Sequence, residues 1–212
     1  MKIRIVGALA AAAFFASIGG AQAGLVITGG AGSISATSEA SSPFPLSLVG
    51  YAGGTLTAQD AGLYSFTYMG LGNPSFINTF AVSGCGSTFT GYSTAIGTSF
   101  TCSFAANTVI PFTFGANTTG TPQTVVNGQA YNSGLGYLVA MTNSTTSPGT
   151  TTGTSAFLGL SDGGSSGDND YQDLVIQVTE VVPEPGTFAL LGSGMLGLFG
   201  LAWRRRRAVR VA

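Results

Sequence analysis

From residue 24 to residue 181 the chain alternates short runs of β-branched and aromatic residues with clusters of Gly, Ser, Thr, Asn and Pro. The runs are Gly62–Tyr68, Thr79–Val82, Thr98–Phe104, Val109–Phe114, Tyr137–Thr142, Ala156–Leu160 and Leu174–Val181. Runs this short, bounded by turn formers, predict strands rather than helices. The fold class that follows is all-β, an antiparallel β-sandwich or jelly roll. In Leu63–Tyr68 the aromatic residues Tyr64, Phe66 and Tyr68 alternate with polar ones and so share one strand face. That stripe reads as core, although a sugar-stacking face has the same pattern. Thr145–Ser155, with Pro148, reads as an exposed loop. No fixed-period repeat is visible, which disfavours a solenoid.

The two ends break this pattern. Residues 1–23 open with Lys2 and Arg4, continue with an apolar run from Ile5 to Ile18, and close with Ala21-Gln22-Ala23. This is the layout of a secretory signal peptide with an A-x-A cleavage site, which predicts passage through the Sec translocon, cutting by signal peptidase and a mature start at Gly24. An uncleaved anchor is the competing reading, but the run falls short of the roughly 20 residues a membrane span needs.

At the other end, residues 182–212 read as a sorting signal in three parts. Val182-Pro183-Glu184-Pro185-Gly186 comes first, then an apolar stretch from Thr187 to Trp203, then Arg204, Arg205, Arg206 and Arg207. As a helix, 187–203 reaches about 25 Å, enough for a transmembrane helix with Trp203 at the interface. The arginines orient that helix with its end in the cytoplasm and the body outside the inner membrane. Gly192-Ser193-Gly194-Met195-Leu196-Gly197 satisfies the dinucleotide fingerprint, but it lies inside the membrane-length stretch rather than between a strand and a helix.

This order of parts resembles the PEP-CTERM sorting signal of Gram-negative bacteria. The resemblance implies that an exosortase, a membrane-embedded cysteine transpeptidase, cuts near Pro183, Glu184 and Pro185. The product then passes to the cell surface or the extracellular, biofilm-type matrix, after transient anchoring by the C-terminal helix.

Charge sharpens the picture of the body, residues 24–181. Charged residues make up only 7% of the chain, and every cation lies in an end segment: Lys2 and Arg4 before it, Arg204 to Arg207 and Arg210 after it. A body without cations cannot release counterions from phosphates, which excludes nucleic acid as a partner. It also excludes a Ser-His-Asp relay, a His-ligated metal, a Schiff-base lysine and a cationic oxyanion clamp. No enzymatic activity is therefore expected; the residual enzymatic alternative is a carboxylate-based glycoside hydrolase.

The body's acids are Glu39, Asp60, Asp162, Asp168, Asp170, Asp173 and Glu180. Four of them fall in the segment Ser161–Asp173, where mutual repulsion favours either an open, solvated turn or a bound cation. Calcium suits alternating Asp, Asn and backbone carbonyls, and the candidate ligands are Asp162, Asp168, Asn169, Asp170 and Asp173. The spacing is not that of an EF-hand. Three readings stand: a solvated acidic turn, a Ca²⁺ site, and a catalytic carboxylate pair. The segment also resembles the G-D-x-D-[FY]-x-D-[LM]-V signature near the end of an uncharacterised β-rich domain family of secreted bacterial surface proteins. That resemblance points to Asp168, Asp170 and Asp173.

Cys85 and Cys102 are the only cysteines, and in an exported chain a disulfide between them is expected. The function these features predict is that of an exported, exosortase-processed surface or matrix protein with a structural or adhesive role. No cofactor other than Ca²⁺ is expected. An exopolysaccharide-binding module is the alternative. Edge strands without lysine gatekeepers also predict self-association.

Overall fold

The computed structural model describes residues 24–30, 33–36, 48–72, 76–118, 121–129, 134–142, 151–163 and 171–181, together with Gly194 and Gly197. The expected signal peptide lies outside the described residues. The chain divides into two units, Met1–Glu180 and Val181–Ala212.

The first unit is built from antiparallel strands, as the runs predicted. In chain order they are β1 (Leu25–Thr28), β2 (Ser33–Ala36), β3 (Leu48–Ala52), β4 (Thr55–Ala58) and β5 (Gly62–Gly70). There follow β6 (Ile77–Val82), β7 (Thr88–Thr90), β8 (Ser99–Phe104), β9 (Thr108–Val109) and β10 (Phe112–Thr118). The last are β11 (Thr121–Val126), β12 (Gly136–Met141), β13 (Thr152–Gly153), β14 (Ser155–Ser161) and β15 (Leu174–Val181). A seven-stranded sheet runs β2-β3-β12-β14-β15-β5-β8, and two four-stranded sheets run β11-β10-β6-β7 and β13-β1-β4-β9. The arrangement is sandwich-like.

Period-two burial explains the layers. Along β5, Tyr64, Phe66 and Tyr68 are 0%, 0% and 2% exposed, so the aromatic stripe is core and not a sugar-stacking face. Phe66 of β5 stacks on Phe100 of β8 with centroids 5.2 Å apart, and Phe100 meets Phe89 of β7 at 4.9 Å. Phe80 of β6 meets Phe114 of β10 at 5.1 Å, and Phe112 meets Tyr137 of β12 edge-on at 5.3 Å. This aromatic layer joins the seven-stranded sheet to the β6–β10 sheet. Strand β12 is buried at every position, and β14 at every position after Ser155. Their alternate residues Leu138, Ala140 and Phe157 enter a second apolar cluster with Tyr171 and Val175. That two-sided burial accounts for the continuous apolar runs of these strands.

Two expected elements come out differently. The run Val109–Phe114 is not one strand: Val109 closes β9 in one sheet and Phe112 opens β10 in another. Pro111, which has no amide hydrogen for a ladder, lies at the crossing. The expected loop Thr145–Ser155 contains β13 and the first residue of β14, and its residues 145–150 lie outside the described residues.

Cys85 and Cys102 form the expected disulfide, with Cα atoms 5.7 Å apart. It fastens the chain after β6 to edge strand β8. Closing a loop of this size contributes on the order of 3 kcal/mol by restricting the unfolded chain.

Candidate functional site

Strands β14 and β15 pair in antiparallel register up to Leu160 opposite Leu174. Asp173 comes next, just before β15 and opposite Ser161, with Asp162 one residue beyond the end of β14, and the Asp173 amide donates to the Leu160 carbonyl at 3.1 Å. Both acids are nearly excluded from solvent, at 5% and 4% exposure. The Asp162 amide donates to Asp173 Oδ2 at 2.7 Å. The hairpin therefore turns its two flanking carboxylates inward rather than into water.

A third residue reaches the pair from the opposing sheet. Asn78, in β6, is 1% exposed; its Nδ2 donates to Asp162 Oδ2 at 2.8 Å and to the Asp173 carbonyl at 3.2 Å. The Phe76 amide adds a 3.2 Å bond to the same Asp162 oxygen. Asn78 Oδ1, by contrast, is buried with no hydrogen-bond partner among the described residues. Nearby, the Gln172 carbonyl accepts from the Gly72 amide at 2.7 Å. A β-carbon at Gly72 would come within 2.7 Å of the Gln172 side chain, so a larger residue there would force that side chain to shift.

Burying a carboxylate costs several kcal/mol unless an opposite charge or a proton offsets it. Residues 24–181 contain no Lys, Arg or His, so no side chain of the body can supply that charge. The oxygens gathered here, two carboxylates and an orphaned amide oxygen, make a donor set for a hard cation such as Ca²⁺ rather than for a soft metal. Among the described residues no three acidic, histidine or cysteine side chains come together as a metal-holding group. A cation here would need further ligands from carbonyls, water or other residues of the hairpin. The candidates Asp168, Asn169 and Asp170 belong to the same hairpin by sequence and lie outside the described residues. Asn78 carried no sequence signal, since it stands 84 residues from Asp162.

The tail residues Pro183, Glu184, Pro185 and Arg204 to Arg207 also lie outside the described residues, whereas Gly194 and Gly197 are helical. Among the described residues no helix is long and apolar enough to cross a membrane. Residues 181–207 match the PEP-CTERM protein-sorting motif. The chain carries a PEP-CTERM tail. No curated protein and no solved structure matches the chain. A PEP-CTERM motif implies an exported surface protein whose processing partner is an exosortase, with sorting from a membrane-anchored stage.

Among the described residues, the body in front of the PEP-CTERM tail also has a concave surface. Ser87, Thr88, Ser93, Thr94, Thr98 and Ser99 ring a cavity of about 500 Å³ whose lining includes Phe89 and Phe100. Tyr92 and Ile96, in the same β7–β8 connection, are 68% and 74% exposed. A lining that mixes hydroxyls with aromatic rings suits a neutral, polar ligand.

Proposed function

We propose that this chain is a structural or adhesive component of the cell surface or extracellular matrix, exported by a cleaved signal peptide and released by exosortase. Its β-sandwich is completed by a Ca²⁺ ion at the base of the β14–β15 hairpin. Asp162, Asp173 and Asn78 Oδ1 would hold the ion, with Asp168, Asn169 and Asp170 of the same hairpin. The bound ion supplies positive charge to an otherwise cation-free body. The observation that carries this reading is the inward-facing Asp162–Asp173 pair in a body without Lys, Arg or His.

Extracellular calcium then acts as a folding ligand. Binding to the native state alone stabilises by about 2.7 kcal/mol at a hundredfold excess over Kd. The protein would be looser in the metal-poor cytoplasm and rigid outside. Metal analysis of protein recovered from culture medium without chelators tests this. About one calcium per chain is expected, and metal-free protein in calcium-containing medium would refute it.

A second reading, exopolysaccharide binding, is favoured by the hydroxyl-lined cavity of the β7–β8 connection, a segment that also carries the exposed Tyr92. Pull-down on the producing strain's exopolysaccharide should then be lost in Tyr92→Ala with the melting temperature unchanged. Equal retention of both proteins would refute that reading. Neither reading involves catalysis. A structural role in a matrix also fits self-association through the edge strands.

A further inference from the structure

The two ends of the body meet at Gly24 and Glu180. Gly24, the residue before β1, is buried, and its carbonyl is held by the Tyr64 hydroxyl at 2.8 Å and the Gln59 amide at 2.9 Å. Glu180, near the end of β15, lies directly against it: a β-carbon at Gly24 would overlap the Glu180 carboxylate. The nitrogen of Gly24 is bonded to that same α-carbon, so the carboxylate lies in its immediate neighbourhood. Glu180 Oε2 is buried and has no hydrogen-bond partner among the described residues. The groups that face Glu180 worsen its position. Burial first, and the Asp60 charge second, hold its carboxyl above the usual range, and Glu180 in turn helps to raise Tyr64.

In the precursor the Gly24 nitrogen is a neutral amide with one hydrogen. Hydrolysis of the Ala23–Gly24 bond adds water across it, leaving a carboxylate on Ala23 and an amine on Gly24 that is protonated at neutral pH. We propose that this new α-ammonium is the missing partner of Glu180, so that signal-peptide removal creates an ion pair joining β1 to β15. The cleaved body then contains a single cation of its own, and cleavage puts it beside an unpartnered buried carboxylate oxygen. Gly24 is suited to the place because any side chain would displace Glu180. Export processing is thereby coupled to stability: the precursor has no ammonium at Gly24 to offer Glu180, and the mature chain does, one residue before the sorting motif begins. This inference rests on the exported, signal-peptidase-cleaved reading above.

Lys2 is the chain's only lysine, so in protein cleaved after Ala23 the Gly24 α-amino group is the only amine. Its titration can be read by the pH dependence of labelling with an amine reagent, after intact mass has fixed the N-terminus. In the secreted, folded protein the labelling midpoint should lie about one unit above the ordinary value near 8. It should return to the ordinary value in Glu180→Gln, and in urea-unfolded wild type should that variant fail to fold. A Gly24 terminus whose midpoint is the same folded and unfolded overturns the ion pair while leaving export processing intact. A mature terminus elsewhere overturns the cleavage reading, and the ion pair with it.

Discussion

The backbone amide of Asp162 points at the side chain of Asp173, 2.7 Å from its Oδ2, and closes the β14–β15 hairpin with a charged acceptor where a further ladder carbonyl would otherwise stand. Because Asp162 in turn accepts from Asn78 of the opposing sheet, the two acids are part of the seam between layers. They are not a fringe of the turn.

Asn78 should therefore matter out of proportion to its size. Asn78→Ala removes both Nδ2 bonds, one of them to a carboxylate, and leaves Asp162 buried with a weaker partner set. The expected loss is about 3 kcal/mol in urea unfolding. A loss below about 0.5 kcal/mol, as at an ordinary surface position, would show that the seam does not depend on it.

High pH gives a second test. Tyr137 and Tyr64 are both raised to about 12, chiefly by burial, with the Glu180 charge adding to the effect on Tyr64. A group held higher in the folded state contributes stability that is complete below its unfolded value, near 10, and lost as pH rises through its folded value. The sandwich should therefore keep its near-neutral stability to about pH 10 and lose it toward pH 12. Tyr137→Phe should blunt that loss while sacrificing about 1 kcal/mol at pH 7, from the hydroxyl bond to the Gly54 carbonyl. Stability that is flat to pH 12, followed by circular dichroism, would show that these phenols are not held neutral by the fold.

The tail makes a cellular prediction. Replacing Arg204, Arg205, Arg206 and Arg207 with glutamine removes the charges that orient the expected membrane helix. Full-length protein should accumulate in the membrane fraction, and an exosortase-deficient strain should behave the same way. Undiminished release of shortened protein from both strains would separate the PEP-CTERM tail from processing.

How much of this was legible in the sequence depended on the range of the interaction. Strands β5 and β15 could be read directly, because Tyr64, Phe66 and Tyr68 and the run Leu174–Val181 carry their own period and propensity. Strands β1 to β4 were not among the expected runs: each is only four or five residues long, too short to carry a clear period, and they become strands through partners elsewhere, as when Leu25 pairs with Ala58. The disulfide followed from cysteine count and export. The acidic hairpin was visible as a cluster of like charges, but local sequence did not reveal that Asp162 and Asp173 face inward. That depends on Asn78 arriving from another sheet, and the contact between Gly24 and Glu180 depends likewise on the closure of the whole body.

Thermal unfolding of the secreted protein, stripped of metal and then supplied with Ca²⁺ or chelator, bears most directly on the hairpin as a cation site. The melting temperature should rise with millimolar Ca²⁺, by roughly 2–4 °C per kcal/mol for a domain of this size, and fall back with chelator. Asp162→Asn and Asp173→Asn should each lose the response. A wild-type melting temperature indifferent to Ca²⁺ would contradict the account.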